Sequence, residues 1–455
     1  MKSNYNTLFN RKIAFIIAMC FVTICVCSQK KKTASKIQRQ GYEVSITTEN
    51  LISETLQLSF VYGTNKKSFV TDSIVIKSTT QKLVLKEPKK IVGSIYRLAL
   101  KSAPNNYIEL ALDNGSIVNI TLTDKNPQKW ILDKDEINTD FLAYQRRVNG
   151  MPKLELIALR KELIKKHPKS VLQVYLWSEN KIDTPKSLDE KEQELCYTTF
   201  FDDVQPSDKR LAFLPNINKL LYKFVTAKPV TNDNYKKHVD KLLQGLDCKT
   251  QNFTIFTKYF VANMAFFESN NLEEAYNHLY EKYIKENTCK TFSDADMNKY
   301  TNEFETNKKV PLYSVFPEVS FATKDSIPKT IQEIYAKNDF TLITFFSPTC
   351  QHCIDKMPEI KKFMDNLKEK YPTKNTQWVT ILNDQDENKW IEFLEKNQLE
   401  NSAINLKSID PNRAYQHVLN TYSNPSYFLV NKEGKVVLKS FNYKSIQEII
   451  SNKSL

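Results

Sequence analysis

Two cysteines three positions apart, Cys350 and Cys353, are the residues of this sequence best suited to chemistry. An apolar run, 340–346, precedes them, and apolar residues at helical spacing follow them. This pattern predicts a strand that ends just before the pair and a helix that begins at it. Unpaired amides at a helix N-terminus favour a thiolate and lower its pKa from about 8.5. The pair therefore predicts thiol–disulfide exchange, with Cys350 as the nucleophile and Cys353 as the resolving cysteine.

Other uses of a Cys-x-x-Cys pair fit these residues less well. Haem attachment requires a histidine directly after the second cysteine, where Ile354 stands. A structural zinc site requires four ligands, but no second such pair exists and the remaining histidines are dispersed, so we expect no metal. A peroxidatic cysteine would follow a proline by seven positions, where Ile343 stands, although Ser347 suits the position three before Cys350. An inert structural disulfide stays an alternative.

The N-terminal third of the chain has the pattern of β-structure. Seven short segments between Tyr42 and Asp124 alternate apolar and polar residues, which predicts antiparallel strands. Asp113-Asn114-Gly115 predicts a hairpin turn between the last two strands. We therefore expect an antiparallel β-sandwich over residues 37–137.

Residues 138–307 change to helical spacing, which predicts a central all-α domain in which one helix ends at His167-Pro168 and about six more follow. Its aromatic residues recur at the spacing of a helix face and predict a core rather than a ligand site. Cys248 and Cys289 end successive helical segments and could form a structural disulfide in an oxidising compartment, a pairing that sequence alone leaves open. We expect the remaining cysteine of this domain, Cys196, to be buried.

Residues 311–455 alternate predicted strands and helices, which indicates an α/β domain. A hairpin is predicted around residues 431–434. This part resembles the thioredoxin-like domains of the envelope-bound TlpA and ResA type, which are thiol-disulfide oxidoreductases. Pro358, five residues after Cys353, matches the proline that kinks the family's active-site helix. Asn424-Pro425 matches the family's cis-proline, so the resemblance implies that Pro425 faces the cysteines and presents backbone to a client protein.

The sequence departs from thioredoxin at four positions around the pair. The buried acid of the preceding strand is replaced by Thr344, so the resemblance implies that Asp384 or a water takes the proton of Cys353. Thr349 replaces the tryptophan before the first cysteine. Gln351 and His352 replace Gly-Pro, and a histidine there resembles the oxidising members, in which the imidazole stabilises the thiolate. We therefore expect a reduction potential above the value of about −270 mV for thioredoxin.

The first 28 residues have the pattern of an export signal. Arg11 and Lys12 precede an apolar run, 13–27, that is short for a bilayer span, and Ser28 suits cleavage before Gln29. A lipoprotein start at one of the cysteines in this run and an uncleaved anchor are the alternatives. We expect an exported protein of the periplasm or cell envelope, with membrane association only if it is lipidated or uncleaved. The β-then-helical layout upstream resembles multidomain exported proteins of Bacteroidetes.

Composition excludes two further classes of function. The net charge of +13 comes from lysines interspersed with acidic residues, without a nucleic-acid-binding motif, so we expect no nucleic-acid partner. With only seven glycines, no Gly-rich phosphate loop can be written, and we expect no cofactor. The expected partners are client proteins that bear thiols or disulfides, with a membrane thiol electron donor as a further possibility. The main alternative is an envelope binding or scaffold lipoprotein whose thioredoxin fold serves interaction; a peroxide-reducing enzyme is the second.

Overall fold

The computed structural model describes residues 40–451 apart from 50, 65–66, 134, 188 and 267–271. The predicted signal peptide, its cleavage site and the alternative lipidation sites lie outside these residues. Within the described residues, no helix combines the length and the apolar character that crossing a membrane requires.

The N-terminal domain contains two four-stranded sheets that share one apolar core. Its strands are β1 Tyr42–Glu49, β2 Thr55–Tyr62, β3 Lys67–Val75, β4 Thr80–Glu87, β5 Ser94–Leu100, β6 Tyr107–Leu112, β7 Ser116–Leu122 and β8 Ile131–Asp133. The sheet orders are β4-β1-β7-β8 and β3-β2-β5-β6. In β1 and β2 alternate residues point into the core, as the period-two pattern predicts.

Two features of this domain differ from the prediction. Strands β1 and β7 pair in parallel, so the sheets are not wholly antiparallel. The turn at residues 113–115 is not a hairpin, because β6 and β7 belong to different sheets and the chain crosses from one to the other there. A local turn motif identifies a reversal of the chain but does not determine which strands pair.

The central domain contains nine α-helices among the described residues, and seven of them follow His167-Pro168, where about six were predicted. They are α1 Glu136–Arg147, α2 Lys153–Lys166, α3 Val171–Asp183, α4 Glu190–Thr198, α5 Ile217–Val225, α6 Asn232–Leu243, α7 Gln251–Phe266, α8 Glu273–Leu279 and α9 Asp294–Lys309. The predicted aromatic stripes belong to its core. Cys248 and Cys289 are joined in a disulfide with Cα atoms 5.9 Å apart. Cys196 is a free thiol that is half-buried rather than buried, because it lies at the margin of the core.

The C-terminal domain is a seven-stranded mixed sheet with helices on both faces. Its strands are β9 Ser320–Ala322, β10 Pro328–Thr330, β11 Phe340–Phe346, β12 Thr376–Leu382, β13 Ile404–Ser408, β14 Ser426–Asn431 and β15 Val436–Leu438, in the order β10-β9-β13-β12-β11-β14-β15. Its helices are α10 Ile331–Tyr335, α11 Gln351–Lys370, α12 Glu387–Lys396, α13 Tyr415–Leu419 and α14 Tyr443–Ser451. All seven residues of β11 are buried, because this strand is central and both faces of the sheet are covered.

The predicted hairpin at residues 431–434 is confirmed as the connection between the antiparallel strands β14 and β15. Gly434 has a φ of +82°, and a Cβ atom there would lie 2.7 Å from the Tyr335 hydroxyl. Both the turn and the packing against α10 therefore require glycine.

Candidate functional site

The two cysteines lie at the junction between strand β11 and helix α11. Cys350 has extended backbone angles and is the N-cap residue of α11, and Cys353 lies in the first turn. Both are free thiols. Cys350 is half-buried, whereas Cys353 is fully buried in the core under α11. The predicted strand-to-helix junction is therefore present, with one accessible and one inaccessible thiol.

The burial of Cys353 determines its protonation state. Desolvation raises the pKa of this thiol to about 12; a hydrogen bond to the Ser347 backbone opposes the shift, and the neighbouring Cys350 adds to it. Strand β11 offers no carboxylate to take the Cys353 proton, because Thr344 occupies the position of the acid. The Thr344 hydroxyl accepts a 3.0 Å hydrogen bond from the Trp378 indole. Cys353 is therefore held as a neutral thiol, which leaves Cys350 as the thiol suited to begin an exchange.

Asp384 organises the loop that leads to Cys350. Its Oδ2 atom accepts hydrogen bonds from the hydroxyl of Ser347 and, at 2.9 Å, from that of Thr349. Its Oδ1 atom accepts from the Gln385 amide at 2.6 Å. Desolvation raises the pKa of Asp384, but these hydrogen bonds outweigh it and leave the pKa below its ordinary value. The described contacts of this carboxylate are thus with the loop and not with Cys353, which argues against Asp384 as the direct proton acceptor.

The Asn424–Pro425 peptide bond is cis, and the Asn424 carbonyl faces the Cys350 thiol. The Cys350 thiol donates a hydrogen bond to this oxygen at an S···O distance of 3.7 Å. The cysteine pair and the proline loop therefore meet at one end of the sheet, although more than 70 residues of the chain separate the pair from the loop. His352 lies exposed on the first turn of α11, and none of the described side-chain hydrogen bonds involves it.

Asn383 holds the proline loop and was not predicted from the sequence. This buried side chain donates from Nδ2 to the Thr421 carbonyl and to the Asn424 side-chain oxygen, both at 2.7 Å. Its Oδ1 atom accepts from the Tyr415 hydroxyl at 2.8 Å and from Gln416 at 2.7 Å. The only sequence signal is a polar residue directly after a buried strand.

Tyr427 is a second residue of the site that sequence reasoning missed. It lies on β14 opposite Thr344, the position of the missing acid. Burial is the largest cause of its raised pKa, and both cysteines contribute to the shift, so the phenol lies near both thiols. Its ring centroid is 5.5 Å from that of Phe441. An aromatic wall therefore borders the cysteine pair.

Comparison with known proteins agrees with this architecture. Residues 338–436 match the model of a family described as thioredoxin-like. The C-terminal domain is thioredoxin-like. No curated protein matches the chain.

Solved structures with similarity to the chain include three bacterial proteins. A thioredoxin-like protein from Bacteroides caccae is 17% identical, with a TM-score of 0.43 over 59% of this chain and 95% of that one. The thioredoxin domain of a thiol-disulfide oxidoreductase from Bacteroides vulgatus is 19% identical, with a TM-score of 0.27 over 31% of this chain and 99% of that one. A thiol:disulfide interchange protein from a Bacteroides species is 16% identical, with a TM-score of 0.28 over 32% of this chain and 94% of that one.

Proposed function

We propose that this protein is an exported thiol-disulfide oxidoreductase that exchanges disulfides with client proteins in the cell envelope. The observation that carries the proposal is the asymmetry of the pair. Cys350 is accessible at a helix N-terminus beside the Asn424 carbonyl, whereas Cys353 is buried with its pKa raised to about 12. A structural disulfide has no need of one accessible and one protected thiol, whereas an exchange reaction uses both.

In the reductive direction, the Cys350 thiolate attacks one sulfur of a client disulfide. A bond forms between Cys350 Sγ and that sulfur, and the second client sulfur leaves as a thiolate. Cys353 then loses its proton and attacks Cys350 Sγ, which closes the Cys350–Cys353 disulfide and releases the first client sulfur as a thiolate. Two electrons pass from the pair to the client, and the reverse sequence oxidises the client. The relative potentials of the pair and its partners set the direction.

The high pKa of Cys353 makes resolution the step that requires proton removal. The neighbouring carboxylate, Asp384, is engaged by the loop hydroxyls, so the departing client thiolate or a water is the acceptor consistent with the contacts. Pro425 takes the role of backbone partner for the client chain, and the export pattern of residues 1–28 supports the envelope location.

His352 adds a proposal about the potential. An exposed imidazole on the first turn of α11 stabilises the reduced, thiolate form of the pair when it is protonated, which makes the couple more oxidising. The reduction potential of the pair then lies above the thioredoxin value of about −270 mV, and substitution of His352 by proline lowers it.

The experiment is to equilibrate the purified mature protein against glutathione buffers and to follow the thiol state of both cysteines. A reversible couple above about −230 mV supports an oxidase or isomerase role, whereas a value near or below −270 mV indicates a reductase fed by a membrane donor. Absence of any reversible couple would refute the enzymatic proposal and favour the scaffold alternative. Substituting Cys353→Ser and recovering proteins disulfide-linked to Cys350 then identifies the clients.

A further inference from the structure

A cleft of about 450 Å³ lies between the helical domain and the thioredoxin-like domain. Its helical wall includes Glu273, Tyr276 and Glu303, and its opposite wall includes Pro425, Tyr427 and Phe441. The volume lies within the range of about 300–1,000 Å³ that is usual for ligand sites. We call this space the interdomain cleft.

The two walls of the cleft are fixed to each other by polar contacts. Asn420, at the end of α13, donates from Nδ2 to the Asn302 carbonyl at 3.0 Å and to the Thr306 hydroxyl at 2.7 Å. Lys439 forms a 2.5 Å ion pair with Glu273, and both side chains are only 11% exposed. These bonds cross from one domain to the other, so the cleft is formed before any ligand arrives.

The cleft adjoins the proline loop that faces Cys350. Pro425 and the neighbouring Ser426 line it, while the carbonyl of the preceding residue, Asn424, is 3.7 Å from Cys350 Sγ. An extended chain advances about 3.3 Å per residue. A client whose cysteine lies at Cys350 and whose backbone follows the proline loop therefore brings residues two or three positions away into the cleft.

The charges and aromatic rings of the lining indicate which client side chain fits. The charged lining residues are Glu273, Glu303 and Lys439. Lys439 pairs with Glu273 and also interacts electrostatically with Glu303, an exposed carboxylate that interacts with the Tyr276 hydroxyl. The lining therefore carries one more carboxylate than cations. A Lys or Arg side chain placed here is stabilised by an ion pair with the carboxylate and by cation–π interactions with the aromatic faces.

Because this step rests on the proposed function, the partner is a client protein. We propose that the interdomain cleft binds the client segment that flanks the reactive cysteine and prefers a Lys or Arg side chain within three residues of it. The helical domain is then a wall of the substrate site. The basic net charge of the whole chain opposes this preference only weakly, because charges beyond about 8 Å are screened at physiological salt.

The test uses the full mature protein and a set of cysteine peptides, each carrying thionitrobenzoate in a mixed disulfide. Lys, Ala or Glu is placed at one of the three positions on either side of the cysteine, and the rate of thionitrobenzoate release is measured. At one position or more, the Lys peptide should react about fivefold faster than the Glu peptide, the size expected of an exposed charge pair, and added salt should reduce the difference.

Two matched variants assign the preference to the cleft. Glu303→Gln should reduce the Lys-to-Glu rate ratio to twofold or less, whereas Glu305→Gln, on the same helix but outside the lining, should retain it. Normal exchange rates with a ratio of one at every position would overturn the inference and leave the proposed function intact. A ratio that Glu303→Gln does not change would also overturn it. Failure of every peptide and of glutathione disulfide to react would refute the proposed function itself, and the inference with it.

Discussion

Replacing Cys350 with serine isolates Cys353 and allows its reactivity to be measured alone. The buried thiol has a pKa of about 12, with desolvation as the largest cause. The variant removes the charge of Cys350, which is a smaller contribution that also raises this pKa, and leaves the burial in place. Cys353 should therefore stay a neutral thiol at physiological pH.

The expected size of the effect follows from the thiolate fraction. At about pH 7.5, a thiol of pKa 12 is ionised to about 3 parts in 100,000, whereas a free cysteine with a pKa of about 8.5 is ionised to about one part in ten. Because loss of the Cys350 charge lowers this pKa somewhat, ionisation alone should slow alkylation of Cys353 by up to about 3,000-fold relative to a free cysteine, and the enclosure of the side chain slows it further. The rate should rise about tenfold per pH unit while the protein stays folded.

The assay is iodoacetamide labelling across a pH series, with each modified cysteine identified by peptide mass spectrometry. The matched control is Cys353→Ser, in which the half-exposed Cys350 should be labelled readily. Labelling of Cys353 at about pH 7.5 within tenfold of the free-cysteine rate would refute the reasoning, because burial would then not protect the thiol.

Three further predictions concern two polar residues beside the site and the disulfide of the helical domain. Asn383→Ala leaves buried partners without hydrogen bonds and should lower the free energy of unfolding, measured in urea, by about 2–4 kcal/mol. The control Asn388→Ala, at an exposed position, should leave it nearly unchanged, and equal effects of the two substitutions would contradict the prediction. Joint replacement of Cys248 and Cys289 by serine should cost about 4 kcal/mol in the chain-entropy model for a separation of 41 residues, and an unchanged urea midpoint would count against it. Because its pKa is lowered in the fold, the Asp384 carboxylate contributes stability above its unfolded pKa of about 3.9, and this is lost as pH falls through the folded value. Asp384→Asn should therefore show a smaller drop in urea midpoint between pH 6 and pH 3, and an equal drop would exclude this role.

The cysteine site was predictable to the extent that its signals are local. The apolar run of β11 and the helical spacing of α11 lie next to Cys350 and Cys353, so periodicity alone located the strand-to-helix junction. The cis bond at Pro425 followed from a motif match. Strand β13, Ile404–Ser408, was missed because it is short and mostly half-buried, which leaves little apolar pattern to detect.

Sequence by itself therefore determined the three-part order of the chain, the position of the cysteine pair and the helix that begins at it, because these depend on neighbouring residues. Tertiary structure alone decided that β1 pairs in parallel with β7 and that Asn383 holds the proline loop. It also placed the Lys439–Glu273 ion pair across the domain boundary beside the site. Each of these contacts joins residues far apart in the chain, where packing rather than local pattern selects the partner.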